Sequence, residues 1–137
     1  MFIQDTFTLV TSRGRGFYEL TTQINQTIAK FNITIGMCNV FLHHTSASLV
    51  LCENDDPKVK HDLEVFMQKW APDGKDYTHQ EEGPDDMPAH IRSILTQNSL
   101  NIPISDKILM LGRWQSVYLW EHRLASHERK ITLSFYH

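Results

Sequence analysis

Apolar and polar positions alternate with a period of two along much of this chain, the pattern of half-buried β-strands. Residues 2–10 alternate well enough to predict a strand, and residues 17–20 predict a short second one after the turn Arg13-Gly14-Arg15-Gly16. Beyond Gly36, residues 37–44 put Cys38, Val40, Leu42 and His44 on one face and Asn39, Phe41 and His43 on the other. Residues 49–54 alternate again, as an adjacent strand or a bulged continuation. Near the C-terminus, residues 100–104, 107–111, 114–122 and 130–136 read as strands, with turn signals at Asp106-Lys107 and Gly112-Arg113.

Three segments switch to helical spacing. Ile24, Ile28 and Phe31 share one face behind Thr21 or Thr22 as cap. Val59, Leu63, Phe66 and Trp70 form a stripe after Asp55-Asp56-Pro57, where either aspartate can cap and Pro57 suits the first helical position. A third helix begins near Asp86, with Met87, Ile91, Ile94 and Leu95 expected to face the core. Between the last two, residues 75–85 have no apolar periodicity, and loops this long inside compact domains are often functional. Strands, then helices, then strands again predict an α+β fold with a mainly antiparallel sheet or two packed sheets, rather than alternating βαβ units.

The 137 residues suit one domain, 1–137, with no repeat or linker. Apolar residues make up 41% and charged residues 21%, as in a globular protein. The net charge of -3 comes without a basic patch, so nucleic acid is not an expected partner. No basic segment followed by an apolar run opens the chain, and no run approaches the ~20 apolar residues of a membrane span, so neither export nor a membrane is expected. Cys38 and Cys52 match no zinc-site spacing and read as reduced, small hydrophobes in a cytoplasmic protein. Phosphate loops of the G-x-x-x-x-G-K type, G-x-S-x-G elbows, H-E-x-x-H and C-x-x-C are all missing.

The densest chemistry lies in His79-Gln80-Glu81-Glu82-Gly83-Pro84-Asp85-Asp86-Met87-Pro88-Ala89-His90, where imidazoles and carboxylates converge as metal binding or proton transfer requires. Asp86 and His90, four apart, share a helix face. Capping would be the structural role of one aspartate, leaving the other free. His44 ends an apolar row and meets the hydroxyls of Thr45, Ser46 and Ser48, which can bind phosphate oxygens or merely shape a turn. Glu53-Asn54 ends a strand, His61-Asp62 lies on a helix flank, and Gln115 and Glu121 share the Val117–Leu119 face as possible buried polar groups. Trp114, Tyr118 and Trp120 read as packing or subunit contact.

His44-Thr45-Ser46-Ala47-Ser48, Glu53-Asn54, Asp56-Pro57, His61-Asp62, Glu82-Gly83, Asp85-Asp86-Met87-Pro88-Ala89-His90-Ile91, Gly112, Trp114-Gln115 and Glu121-His122-Arg123 together resemble the YjbQ-like family, also called secondary thiamine-phosphate synthase. The one departure is Pro84, where a small residue is common. The resemblance implies an α+β fold with a β-sandwich of mainly antiparallel strands and two to three helices, and a homotrimer. It implies a site gathering His44, Asp86, His90, Gln115 and Glu121, and a weak ability to join a pyrimidine diphosphate to a thiazole phosphate. On this reading His44, Asp86, His90 and Glu121 are catalytic, and Thr45, Ser46, Ser48, Asn54 and Gln115 bind a phosphorylated small molecule. A divalent metal, Mg²⁺ or Zn²⁺, would be held by His44, Asp86 and His90. The alternative is a non-catalytic trimer that binds a metal or a phosphometabolite.

Overall fold

The computed structural model describes residues 1–74 and 76–137; of the loop expected at 75–85, Lys75 lies outside the described residues. The chain runs β1 (Phe2–Val10), β2 (Gly16–Glu19), α1 (Thr21–Lys30), β3 (Ile35–Leu42), β4 (Ala47–Glu53), α2 (Pro57–Trp70), α3 (Asp86–Leu95), β5 (Ser99–Ser105), β6 (Ile108–Leu109), β7 (Gln115–Glu121) and β8 (Glu128–Tyr136). Two sheets form, ordered β1-β8-β3-β5-β6 and β2-β7-β4, and every pairing between neighbours is antiparallel. The expected β-sandwich with helices is therefore present. Asp106 and Lys107, both with positive φ, form the tight β5–β6 turn that their sequence signalled.

The alternation of β3 buries Cys38, Val40 and Leu42, which meet Ile131, Leu133 and Phe135 of β8 and Leu100, Ile102 and Ile104 of β5 in one core. Leu49, Val117 and Leu119 enter it from the smaller sheet, and Ile24 and Ile28 of α1 close one side. Gly36 in β3 admits no side chain, since a Cβ there would collide with the Tyr136 carbonyl oxygen.

The helices depart from the sequence expectation in instructive ways. Asp56 caps α2, accepting the Lys58 N–H at 2.9 Å, and Pro57 takes the first position as expected. Neither Thr21 nor Thr22 caps α1; the Thr21 hydroxyl instead accepts the Val117 N–H. Neither Asp85 nor Asp86 caps α3, because both carboxylates are engaged elsewhere. The expected core face of α3 is overturned: Ile94 is 82% exposed and Leu95 is exposed, while Asp86, Pro88, Ala89 and Arg92 are buried. On α2 only Met67 is buried; Phe66 and Trp70 remain exposed. The apolar stripe of α2 thus lines an open cleft of about 530 Å³, with Val50, Leu51, Leu63, Phe66, Trp70 and Leu95 in its walls.

Candidate functional site

The connection from β3 to β4 crosses from one sheet to the other at one end of the sandwich, and His44-Thr45-Ser46 makes that crossing. His44 is half-buried, and its Nε2 accepts the Lys130 N–H at 2.7 Å. A neutral ring bonded this way carries its proton on Nδ1. Burial first, and the nearby Arg129 charge second, hold the His44 pKa below the ordinary histidine value, which favours that neutral form. Arg129 is itself buried and clamped by Glu121: Arg129 Nε donates to Glu121 Oε1 at 2.9 Å, and Nη2 donates to the other carboxylate oxygen and to the Ser46 carbonyl. Thr11 Oγ1 and the Arg123 N–H complete the partners of Glu121. Glu121 is fully buried and is saturated by these groups.

α3 begins beside this crossing. Ser93 Oγ donates to the Ala47 carbonyl, and His90 Nδ1 lies 2.9 Å from the Thr45 carbonyl oxygen. Helical spacing brings His90 Nε2 to 3.1 Å from Asp86 Oδ2. The loop before α3 folds back to place His79 Nε2 2.7 Å from the same Oδ2, while His79 Nδ1 faces Glu81 Oε2 at 3.3 Å. Ligand atoms of His79, Asp86 and His90 all lie within 4.8 Å of one another. Burial opposes ionisation of Asp86, but the hydrogen bond from His79, the Arg123 charge and His90 outweigh it and hold its pKa below the usual carboxylate value. The hydrogen bond to Asp86 raises the pKa of His79.

Arg123, just beyond β7, fixes the loop from beneath. Its Nε donates to Asp85 Oδ2 at 2.9 Å, Nη1 to Asp86 Oδ1 at 2.8 Å and Nη2 to the Glu82 carbonyl at 2.9 Å. The Leu124 N–H adds a bond to Asp85 Oδ2. One arginine therefore orients both aspartates and leaves Asp86 Oδ2 to the two imidazoles.

The hydrogen-bond arithmetic of the two rings does not close by itself. All four ring nitrogens of His79 and His90 face oxygen acceptors: Asp86 Oδ2 twice, Glu81 Oε2 and the Thr45 carbonyl. A neutral imidazole has one N–H, so two nitrogens would meet oxygen lone pairs with their own. Extra protons on the rings or a cation between them would fill those gaps.

Between His44 and α3 opens a cavity of about 530 Å³, lined by His44, Thr45, His90, Ser93, Ile94, Thr96 and Asn98. His90 belongs to both this wall and the His79–Asp86–His90 cluster. Of the sequence candidates, His44, Thr45, Asp86 and His90 come together here. Ser46 and Ser48 are buried; Ser48 Oγ pairs with His122 Nε2 at 2.8 Å. Asn54 and Gln115 lie at the other end of the smaller sheet, where Glu53 pairs with Gln115 while Ala47 pairs with Glu121. Six residues of strand separate Glu121 from Gln115, roughly 20 Å. Gln115 is exposed rather than buried, and its Oε1 accepts the Gly112 N–H. His61 and Asp62 are exposed on α2. His44 stands outside the three-residue cluster, which holds His79 instead. His79 was visible in the sequence only as one more imidazole in a crowded loop.

The family model for UPF0047 proteins of the YjbQ-like kind matches residues 5–137. The chain belongs to the YjbQ-like UPF0047 family. It is 44% identical over 124 residues to UPF0047 protein sll1880 of Synechocystis, covering 90% of this chain and 84% of that protein. It is 42% identical over 132 residues to UPF0047 protein YjbQ of Escherichia coli O157:H7, covering 96% and 95%. Among solved structures, an uncharacterized conserved protein of the YjbQ/UPF0047 family from Clostridium acetobutylicum superposes with a TM-score of 0.88 at 31% identity, covering 96% of this chain and 99% of that one. No helix among the described residues is long and apolar enough to cross a membrane.

Proposed function

We propose that this YjbQ-like protein is a small-molecule enzyme whose site is a divalent-metal centre held by His79, Asp86 and His90, with its substrate in the adjoining cavity opposite His44. The observation that carries the reading is the meeting of four ring nitrogens with three oxygen acceptors, two of the nitrogens sharing Asp86 Oδ2. A cation held by His79, Asp86 and His90 would remove both lone-pair conflicts. It would leave Nδ1 of His90 to donate to the Thr45 carbonyl, the outer hydrogen bond that metal-bound histidines typically make. Two imidazoles and one carboxylate suit Zn²⁺ better than Mg²⁺, which prefers an all-oxygen shell. Three protein donors leave a position open, as catalytic rather than structural zinc sites do. When bound, the metal would supply Lewis-acid polarisation. The residues of the chain orient Asp86 through Arg123 and present the Nδ1–H of His44 to the cavity.

The thiamine-phosphate synthase-type transfer implied by the resemblance releases pyrophosphate, which needs cations around it. Among the described residues no lysine or arginine lines the cavity, so that activity would lean on the metal alone and be weak. Exposed Leu51, Phe66, Trp70 and Leu95 support association of copies through the α2–α3 face, in the trimer that the resemblance implies. Two unpaired cysteines accord with a cytoplasmic location.

The test is a substrate screen on metal-loaded protein alongside Asp86→Asn. Turnover lost in the variant supports an enzyme. Saturable binding without turnover of any compound would make it a binding protein instead.

A further inference from the structure

The wall of the cavity specifies more than its volume. Ser93 Oγ already donates to the Ala47 carbonyl at 3.1 Å, and Thr96 Oγ1 donates to the Arg92 carbonyl at 2.7 Å. A hydroxyl has one proton, so toward a ligand these two oxygens can only accept. His44 is the reverse case: Nε2 is occupied by the Lys130 N–H, and Nδ1–H is left to donate. Thr45 Oγ1 and the Asn98 amide make no hydrogen bond among the described residues and can act either way. No lysine, arginine, aspartate or glutamate joins the lining, and both ring nitrogens of His90 are engaged, by Asp86 and the Thr45 carbonyl. Arg129, whose charge acts on His44, is paired with Glu121.

A phosphate meets this wall badly. It carries only acceptors at neutral pH, so it would set its oxygens against those of Ser93 and Thr96, and its charge would lose water with no lysine or arginine in the lining to replace it. A hydroxyl offers a donor and an acceptor at once and can pair with His44, Thr45, Ser93, Thr96 and Asn98 alike. We propose that the cavity takes an uncharged, hydroxyl-rich small molecule of the sugar or nucleoside class, bound between His44 and α3. This rests on the reading of the cavity as the working site, but its argument stands on the wall and not on the metal.

The experiment uses matched pairs on the full-length protein: ribose against ribose phosphate, and adenosine against adenosine monophosphate, by ligand-observed NMR and calorimetry. The neutral member of a pair is expected to bind saturably and at least about tenfold more tightly than its phosphorylated form, a difference of about 1.4 kcal/mol. Asn98→Ala, which removes a side chain with no internal bond, should weaken that binding severalfold without changing the fold. Tighter binding of the phosphorylated members overturns the proposal. So does the failure of both neutral probes to bind at millimolar concentration. Metal content assayed on the same sample separates the two readings. Neutral ligands bound by metal-free protein leave the ligand class standing while the metal centre falls. Metal present together with a preference for phosphate overturns the ligand class alone.

Discussion

His79 places its Nε2 2.7 Å from Asp86 Oδ2, across a loop of seven residues and not along a helix. Asp86 is buried while His79 is exposed, so the loop brings an exposed imidazole to a buried carboxylate. This makes His79 the member of the cluster whose loss should cost function without costing the fold. His79→Ala should change unfolding free energy by less than about 0.5 kcal/mol, as exposed substitutions do. Metal affinity should fall by at least about tenfold, as isothermal titration with Zn²⁺ would measure.

Arg123 is the structural counterpart. Replacing it with leucine leaves Asp85 and Asp86 without their shared guanidinium, and both carboxylates are buried. Losing one partner of a buried ion pair costs about 3–5 kcal/mol, so Arg123→Leu should shift the denaturant midpoint strongly, with a smaller loss in Arg123→Lys.

The Glu121–Arg129 pair lies deeper. Glu121→Leu alone strands the arginine charge under His44, and Arg129→Met alone strands the carboxylate, so each should destabilise by about 3 kcal/mol or more. The double substitution should recover much of that loss, because no unpaired charge remains. A double-mutant cycle in urea reads the coupling.

His122 gives the protein an acid sensitivity separate from the His79–Asp86–His90 cluster. It is fully buried with Nδ1 unpartnered. Burial first, then the charges of Arg92, Arg15 and Arg129, push its pKa well below 6.5. Below about pH 6.5 the unfolded chain takes up a proton that the folded protein refuses, so stability falls as pH drops, by up to about 1.4 kcal/mol per unit. Above that pH the residue is neutral in both states and contributes no slope. His122→Asn should flatten this part of a melting-temperature profile between pH 5 and pH 7.

The α2 face predicts assembly. Trp70 is 62% exposed beside Phe66, with the two rings 4.7 Å apart. Trp70→Ser should leave the monomer folded and shift the mass seen by light scattering toward a single chain. An unchanged mass would remove this face from the interface.

Strands were readable because their alternation is local: β1 and β3 follow the period that buries Cys38, Val40 and Leu42. The face of α3 was not, since its buried side includes Asp86, paired with Arg123, and Arg92, paired with Glu64, and a hydrophobic pattern cannot show polar groups buried by ion pairs to other elements. The same limit hid the bond from Arg123 to Asp86, 37 residues apart. Alternation along β7 puts Gln115 and Glu121 on one face and their spacing sets them at opposite ends of the strand, but it does not say which end adjoins His44. His44, Asp86 and His90 stand out in the sequence because their residue types sit at a strand end and one turn apart on a helix. The approach of His79 to Asp86 does not, because loop geometry has no period.

The most direct measurement is the metal content of protein purified without a His-tag or chelator, compared with His79→Ala. The account predicts close to one Zn²⁺ per chain in the native protein and little in the variant, with identical circular dichroism. Equal metal in both, or none in the native protein even after incubation with Zn²⁺, would contradict it.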